Sequence, residues 1–331
     1  MDIIRQKINM RDERFDSLKF VLIILVCWGH LIQIDKNAFS GETIALYKLI
    51  YTFHVPLFAF VSGFFTNSNK DYSKSFVSLL EIIFLGDILW FIFSGTSVSV
   101  MSLLTPQYHL WYLMGLIWWR IMIHCTHKYL NKWKLLILSF SVSLIIGGAK
   151  DFWPFSISIT LTQFPFFVAG NIFRDHKKWL DKLYSFHWVY GIIPFAIVYF
   201  IYLGIPTLGD EAHHMANYGL LWRYVDRFSF LVFASLLGAS FLLLHSKITY
   251  PRSFATSGRN NLIFYVYHGF LRFLPCYLYD NDIVPLNIWS VSIMTGLIFI
   301  IIYIFSKFSL SYVLMNPISF FMRLILKLKR T

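Results

Sequence analysis

The sequence is built from apolar runs of about 20 residues, the length that an α-helix needs to cross a bilayer. They follow one another along all 331 residues, with short polar segments between them. In lipid, every backbone polar group must be bonded within the protein, which favours helices for runs of this length. We therefore predict an all-α, polytopic integral membrane protein with about ten transmembrane helices. The predicted spans are 17–34, 43–65, 75–97, 108–126, 134–149, 156–173, 187–205, 224–245, 258–278 and 286–312.

The composition argues against a separate soluble domain. Hydrophobic residues make up 57% of the chain and charged residues 14%, whereas soluble domains contain about 25% charged residues. We predict one membrane domain over residues 1–331. Its end, 314–331, has the pattern of a basic amphipathic helix on the inner membrane surface, with Phe320 and Leu324 opposing Arg323 and Lys327.

The net charge of +12 predicts an orientation rather than a nucleic-acid partner. The basic residues lie in short clusters between apolar runs, as in cytoplasmic loops that face anionic lipid headgroups. With the N-terminus inside, 23 of the 29 Lys and Arg residues fall on the inner side. We therefore predict that both termini are cytoplasmic. The polar N-terminus shows no cleavage pattern, so we expect the first span to be retained.

The first span carries a polar stripe. Lys19 and His30 are eleven residues apart, which is three helical turns plus about 20°, so they share a face about 16 Å apart along the axis. Asp16 lies on the same stripe. Polar groups in a membrane helix are costly unless they line a cavity or meet partners. The alternatives are snorkelling of Asp16 and Lys19 at the interface and a packed structural role for His30.

Further polar motifs follow in order along the chain. The second span contains YTFHVPLFAFVSGFF with His54, the fourth begins with HLWYL from His109, and FPFFVAGNIFR occupies 164–174. The segment SGRNNLIFYVYH then ends at His268. Together with Asp16, Leu18, Lys19 and His30, this ordered set resembles the acyltransferase family 3 membrane proteins, which O-acylate bacterial surface glycans, and in particular its sugar O-acetylase branch.

The resemblance implies transfer of an acyl group, usually acetyl from acetyl-CoA, to a hydroxyl of a glycan or a lipid-linked saccharide. A hydroxyl needs a base near neutral pH, and imidazole suits that role. The family pattern implies a catalytic set of His30 as general base, His268 as second proton acceptor or oxyanion donor, and Asp16. The alternative for His268 is a structural hydrogen bond. It also implies a multi-pass protein of the bacterial inner membrane, where membrane lipids surround the chain. A direct transfer and a relay through acylated His30 both remain open.

Donor-binding candidates lie on the predicted cytoplasmic side, where acyl-CoA would enter. They are Lys19, Lys70, Lys74 and Arg120. Many family members carry an Arg-x-x-Arg pair where this chain has Lys70 and Lys74, and Lys attracts phosphate without the bidentate fork of Arg. The alternative for each cation is an anchor to the inner membrane surface.

Acceptor-binding candidates are His54, Trp111, Arg223 and Arg227. Trp111 is either a residue of the acceptor path or one of the many structural aromatic residues of this chain. His54 begins a proline-interrupted segment where it is structural as often as functional. Arg223 and Arg227 flank Asp226 near the predicted outer end of the eighth span. These three charges form either a polar mouth for a glycan or a helix-end ion pair. The His and Cys spacings fit no metal site, so we predict none.

Two other functional classes remain open. A transporter or flippase without covalent chemistry would also need a polar stripe inside a bundle, although no inverted repeat is evident. A sensor or non-catalytic scaffold is the third interpretation.

Overall fold

The computed structural model describes residues 13–147, 154–208 and 220–308, together with Ser311, Val313 and Met315. All regular secondary structure in these ranges is helical. The predicted tail at 314–331 lies outside the described residues apart from Met315. The side chain of Arg223 is also outside the description, although its backbone belongs to a helix.

Fourteen α-helices are described, and three short 3₁₀ turns at Lys36–Ala38, Tyr108–Leu110 and Pro154–Ser156 lie between them. The helices are α1 Glu13–Ile32, α2 Gly41–Phe64, α3 Ser73–Ser94, α4 Val100–Leu103, α5 Trp111–Thr126, α6 Lys132–Gly147, α7 Ile157–Asp175, α8 Lys178–Ser185, α9 Val189–Gly204, α10 Leu220–Ser246, α11 Arg252–Arg259, α12 Asn261–Leu271, α13 Phe273–Asp280 and α14 Ile288–Phe305.

Among the described residues, six helical segments are long and apolar enough to cross a membrane. They involve α1, α2, α3, α7, α10 and α14, and the α8–α9 pair, bent by 83°, would make a seventh. The prediction of a helical, multi-pass membrane protein is therefore confirmed. Helices α5 and α6 have 16 residues each, just below the roughly 17–25 of a typical span. The count of about ten spans and the orientation stay predictions.

The predicted ninth span, 258–278, is not one continuous helix. It is divided among α11, α12 and α13, with breaks at Asn260 and Arg272. Pro275 has no N–H to donate to the carbonyl of residue 271, which weakens the helix at that point. The interruption leaves His268 on a short helix that packs on α1 and α14.

The bundle has an inner and an outer set of helices. Burial covers 67% of the apolar window in α1 and 83% in α2, against 22% in α3 and 28% in α14. The window Pro154–Asp175, which contains α7, is 72% buried, so α1, α2 and α7 form the centre, and α3 and α14 present apolar surface outward. Exposed Phe84 and Ile92 on α3 and Trp289 on α14 belong to that outer surface.

Close glycine contacts set the distance between the central helices. A Cβ on Gly63 of α2 would overlap the carbonyl oxygen of Phe167 on α7, and one on Gly170 would overlap that of Phe60 on α2. Small residues of this kind let membrane helices approach closely. Asn171 then reaches across and donates to the carbonyl of Thr66 at 2.7 Å.

Candidate functional site

Three histidines from three parts of the chain meet inside the bundle. The rings of His30 and His268 are stacked at 5.6 Å between centroids with an interplanar angle of 8°. His109 packs edge-on against His268 at 5.1 Å. His109 and His268 are 2% and 1% exposed. The structure therefore brings together His30 and His268, which the sequence analysis placed in one catalytic set, and adds His109, which the sequence analysis left without a role.

The hydrogen bonds of His30 define which nitrogen is basic. The amide nitrogen of Gln33 donates to the Tyr47 hydroxyl at 2.8 Å, so the Gln33 oxygen faces His30. His30 Nδ1 lies 3.1 Å from that oxygen and 3.0 Å from the Tyr51 hydroxyl. Because a nitrogen that faces an amide oxygen carries the proton, Nε2 is left as the basic nitrogen.

The other two histidines are each fixed by one backbone bond. His268 Nδ1 donates to the Phe264 carbonyl at 3.1 Å, and His109 Nε2 donates to the Val266 carbonyl at 3.1 Å. The remaining nitrogens, His268 Nε2 and His109 Nδ1, are buried and have no hydrogen-bond partner among the described residues. Buried polar atoms normally have partners, and unpaired ones are frequent at functional sites.

A cavity of about 230 Å³ opens beside this cluster. His30, Gln33, Tyr51, His54, Trp111 and Gln163 contribute polar or amphipathic groups to its wall, and Val26, Phe58 and Phe230 are among the apolar ones. Gln163 is 3% exposed, and its Oε1 lacks a partner within the described part of the chain. The predicted acceptor-binding residues His54 and Trp111 both line this cavity.

Tyr108 closes one side of the cavity in a strained conformation. Its φ of 47° lies in the left-handed region, which costs about 1–3 kcal/mol for a bulky residue. The Tyr108 ring stacks on Trp90 with 4.8 Å between ring centroids, and its centroid is 4.7 Å from that of the His30 ring. The guanidinium of Arg272 covers it at 5.0 Å and donates to the His30 carbonyl at 3.1 Å.

Asp16 and Lys19 lie at the other end of α1. They form an ion pair of 2.8 Å, and Arg259 of α11 is 3.7 Å from the second carboxylate oxygen of Asp16. Asp16 is fourteen residues from His30, about 21 Å along a helix. It is therefore not among the residues lining the cavity. The structure places Asp16 with cations rather than with the histidines.

The other donor candidates lie at this same end. Arg120 donates to Ser75 Oγ at 3.0 Å and covers the Tyr72 ring at 4.6 Å. Lys70 lies 5.5 Å from that ring, and Lys74 is exposed at the start of α3. A hydrogen bond from the Ser73 amide lowers the pKa of the Asp71 carboxyl. That carboxylate is therefore ionised at neutral pH and offsets part of the positive charge of the lysines.

Arg227 is buried inside the bundle. It is 0% exposed and donates to Ser143 Oγ at 2.9 Å and to the Thr162 carbonyl at 2.6 Å. These contacts join α10 to α6 and α7. Arg227 does not line the histidine cavity, and the prediction for Arg223 falls on an undescribed side chain.

Several site residues had no role in the sequence analysis: Gln33, Tyr51, Tyr108, His109 and Gln163. Gln33 follows His30 by three residues, so the helical period placed it on the same face. His109 stood in a quoted motif. The contributions of Tyr108 and Gln163 depend on tertiary contacts that no local pattern encodes. Among the described residues, no group of three or more His, Cys, Asp or Glu side chains has the arrangement of a metal site.

Comparison with known proteins assigns the chain to a family. The family model described as acyltransferase domain matches residues 12–307. The chain therefore belongs to this acyltransferase family, and the resemblance predicted from the motifs is confirmed. We conclude that it is a membrane acyltransferase by family.

Its relatives include two curated proteins named nodulation protein NolL. The protein from Mesorhizobium japonicum is 25% identical over 295 residues, which cover 79% of this chain and 76% of the relative. The protein from Sinorhizobium fredii is 25% identical over 196 residues, half of each chain. No solved structure matches the chain.

Proposed function

We propose that the protein is a membrane O-acetyltransferase that transfers an acetyl group from acetyl-CoA to a hydroxyl of a glycan or lipid-linked saccharide. The observation that carries this proposal is His30 at the wall of the cavity, with Nδ1 held by Gln33 and Tyr51. That arrangement leaves Nε2 as the base for an acceptor hydroxyl. Family membership supports acyl transfer over the transporter alternative.

In the proposed reaction, Nε2 of His30 accepts the proton of the acceptor hydroxyl as its oxygen attacks the thioester carbonyl. The new C–O bond forms, the C–S bond breaks, and the proton held by His30 passes to the leaving thiolate. In a variant of this step, the proton passes from His30 to the unpaired Nε2 of the neighbouring His268 and from there to the thiolate. The alternative relay acylates His30 first and then transfers the group to the hydroxyl.

The donor would enter from the end of the bundle that carries Lys19, Lys70, Lys74 and Arg120. These cations suit the phosphates of CoA. The flexible pantetheine arm of CoA would cover the distance of about 16 Å from Lys19 to His30. The proposal includes about ten spans, cytoplasmic termini and the bacterial inner membrane, which together place this end in the cytoplasm.

The proposal is tested by incubating purified protein with isotope-labelled acetyl-CoA and saccharides isolated from the producing cell. Mass spectrometry should detect an added acetyl group, and the same group should disappear from surface glycans when the gene is deleted. Saturable solute flux in proteoliposomes without any acyl-CoA consumption would instead support the transporter class.

Replacing Gln33 by leucine is expected to lower kcat about three- to tenfold, the value of one hydrogen bond, while the KM values change little. The side chain orients His30 and does not itself touch the reacting atoms in this mechanism. Gln33→Glu keeps an acceptor for His30 Nδ1 and should recover most of the rate. Equal loss in Gln33→Glu and Gln33→Leu would contradict the orienting role.

Removing the lysines near the donor end is expected to raise the KM for acetyl-CoA. An exposed charge pair contributes up to about 1 kcal/mol, so Lys70→Ala and Lys74→Ala should each raise KM by up to about fivefold. The effect should shrink at high salt, which screens exposed charges. Exposed Lys178→Ala, on α8, is the matched control. Unchanged KM in the double variant would argue for anchoring alone.

A further inference from the structure

An apolar crevice lies between α2, α7, α8 and α10, with a volume of about 220 Å³. Pro56, Leu57 and Phe60 line it from α2. Val55 and Phe58 of the same helix line the histidine cavity instead, and the two spaces have no lining residue in common. Helix α2 therefore separates the crevice from the candidate catalytic site, and the crevice is a site of its own.

Missing side-chain volume on α10 creates this space. Gly238 is buried, yet a Cβ added to it would meet nothing within 4 Å. Ala234 and Leu242 line the crevice on either side of Gly238, eight residues apart, which is about 12 Å along the helix. The crevice is therefore long enough for much of an acyl chain, since the hydrocarbon of one leaflet is about 15 Å thick.

The side chains of the crevice leave no hydrogen-bonding group for a ligand. Ser235 is the only polar side chain among the described residues that line it. Its hydroxyl donates to the Leu231 carbonyl of the same helix at 2.8 Å. A polar ligand would lose its bonds to water here without gaining others, so the lining favours a hydrocarbon chain.

The crevice opens toward the membrane. Ser235 and Ala239 are exposed although they line it, and they lie one turn apart on α10. Leu236 beside them is 49% exposed. This part of α10 is long and apolar enough to span a bilayer, so its exposed face contacts acyl chains. The material that reaches the mouth of the crevice is therefore lipid.

Helix α8 places one end of the crevice at the bilayer surface. Leu183 lines the crevice from this helix. The helix is amphipathic, is bent by 83° from α9, and exposes Trp179 and Lys182. Short amphipathic helices with aromatic and basic residues lie in the membrane interface. A lipid whose chain enters the crevice therefore has its headgroup beside α8.

Two lysines lie at this end of the crevice. Lys182 directly precedes Leu183 and is exposed. Lys247, which follows the end of α10, donates to the Tyr184 carbonyl and is thereby held beside α8. Neither lysine forms an ion pair with another described residue. Cations in this position attract the anionic headgroups of lipids.

We propose that the crevice binds one acyl chain of an anionic phospholipid, with Lys182 and Lys247 binding the phosphate of its headgroup. The apolar lining selects the chain, and the two lysines select the negative charge. The histidine cavity differs from this site because its wall carries imidazole, amide and hydroxyl groups. The lipid site does not depend on the proposed acyl transfer.

The test counts the lipids that the full, detergent-solubilised chain retains in native mass spectrometry after titration with phosphatidylglycerol or phosphatidylcholine of equal chain length. Wild type should retain one phosphatidylglycerol in preference to phosphatidylcholine. Lys182→Gln and Lys247→Gln should each weaken the binding of phosphatidylglycerol about fivefold and leave that of phosphatidylcholine unchanged. Equal retention of the two lipids by wild type would overturn the proposal.

Filling the crevice tests the chain-binding half of the site. Gly238→Leu should weaken the binding of both lipids about tenfold, because the new side chain takes the place of the acyl chain. Gly296→Leu on α14 is the matched control, since a Cβ there also meets nothing within 4 Å. Ala239→Leu, at the exposed mouth, is the second variant if melting shows that Gly238→Leu is unstable.

Two outcomes would contradict the crevice as the binding site. One is wild-type lipid retention in both Gly238→Leu and Ala239→Leu. The other is displacement of the lipid by glycerol phosphate, which has the headgroup charge but no acyl chain. None of these measurements uses acyl transfer, so a failure of the proposed reaction leaves the lipid site standing, and the reverse also holds.

Discussion

Replacing His30 by alanine is expected to lower acyl transfer by about 10²–10⁴-fold, the usual contribution of general base catalysis. The variant removes the only nitrogen that this mechanism assigns to proton abstraction. It leaves Gln33, Tyr47 and the donor end of α1 in place. Binding of acetyl-CoA should therefore stay near wild type, and the loss should appear in kcat rather than in KM.

Two comparisons make this result specific. His187→Ala changes an exposed histidine in the bend between α8 and α9 and should retain full activity. His268→Ala keeps the proposed base and removes only its stacked neighbour, so we expect a smaller loss than for His30→Ala. Wild-type transfer by folded His30→Ala would exclude both the general base and the acyl-histidine relay.

The two mechanisms diverge in one further measurement. Rapid quenching of wild type with acetyl-CoA alone should show acetylated His30 by mass spectrometry if the relay operates. Direct transfer predicts no acetylated enzyme, because both substrates must then be bound at the same time for the reaction to occur. His268→Ala should leave an acyl-His30 intermediate intact, because Gln33 and Tyr51, which hold Nδ1 of His30, both remain in this variant.

The sequence predicted the helical membrane class and placed His30 and His268 in one catalytic set, for separate physical reasons. Apolar length and low charge are properties of local composition, so they can be read from the sequence without knowing the tertiary contacts. His30 and His268 were linked by the family pattern and by similar predicted depth. Asp16 shared the helical face of His30, but periodicity alone does not bring together side chains at opposite ends of a helix.

Other parts of the site depend on chain crossings that periodicity does not contain. Gln163 reaches the cavity because α7 crosses α2 closely, and Tyr108 does so through a left-handed backbone angle. The division of 258–278 into short helices is likewise not contained in the periodicity. Its hydropathy resembles a continuous span, whereas the backbone breaks near Asn260 and Arg272. Arg227 looked like a boundary charge in sequence and is buried between three helices.

Adding a side chain where α2 and α7 touch is expected to have the largest effect on folding. Gly63→Ala or Gly170→Ala places a Cβ against a backbone carbonyl of the facing helix. Backbone cannot rotate away as a side chain can, so the helices must separate. Overpacking of this kind lowers the free energy of unfolding by about 1–3 kcal/mol per site. The double variant should be less stable than either single variant, and the two costs are coupled because both sites lie in one helix crossing.

Gly296→Ala on α14 is the matched control, because a Cβ there meets nothing within 4 Å. It should be neutral or slightly stabilising, since alanine is the better helix former. Thermal unfolding in nanodiscs should show a lower melting temperature for the α2–α7 variants only. Separation of these helices also shifts Gln163 and Phe58, which face the cavity from the two sides. Activity in the surviving fraction should therefore fall together with stability, whereas wild-type melting in both glycine variants would show that the crossing is looser than described.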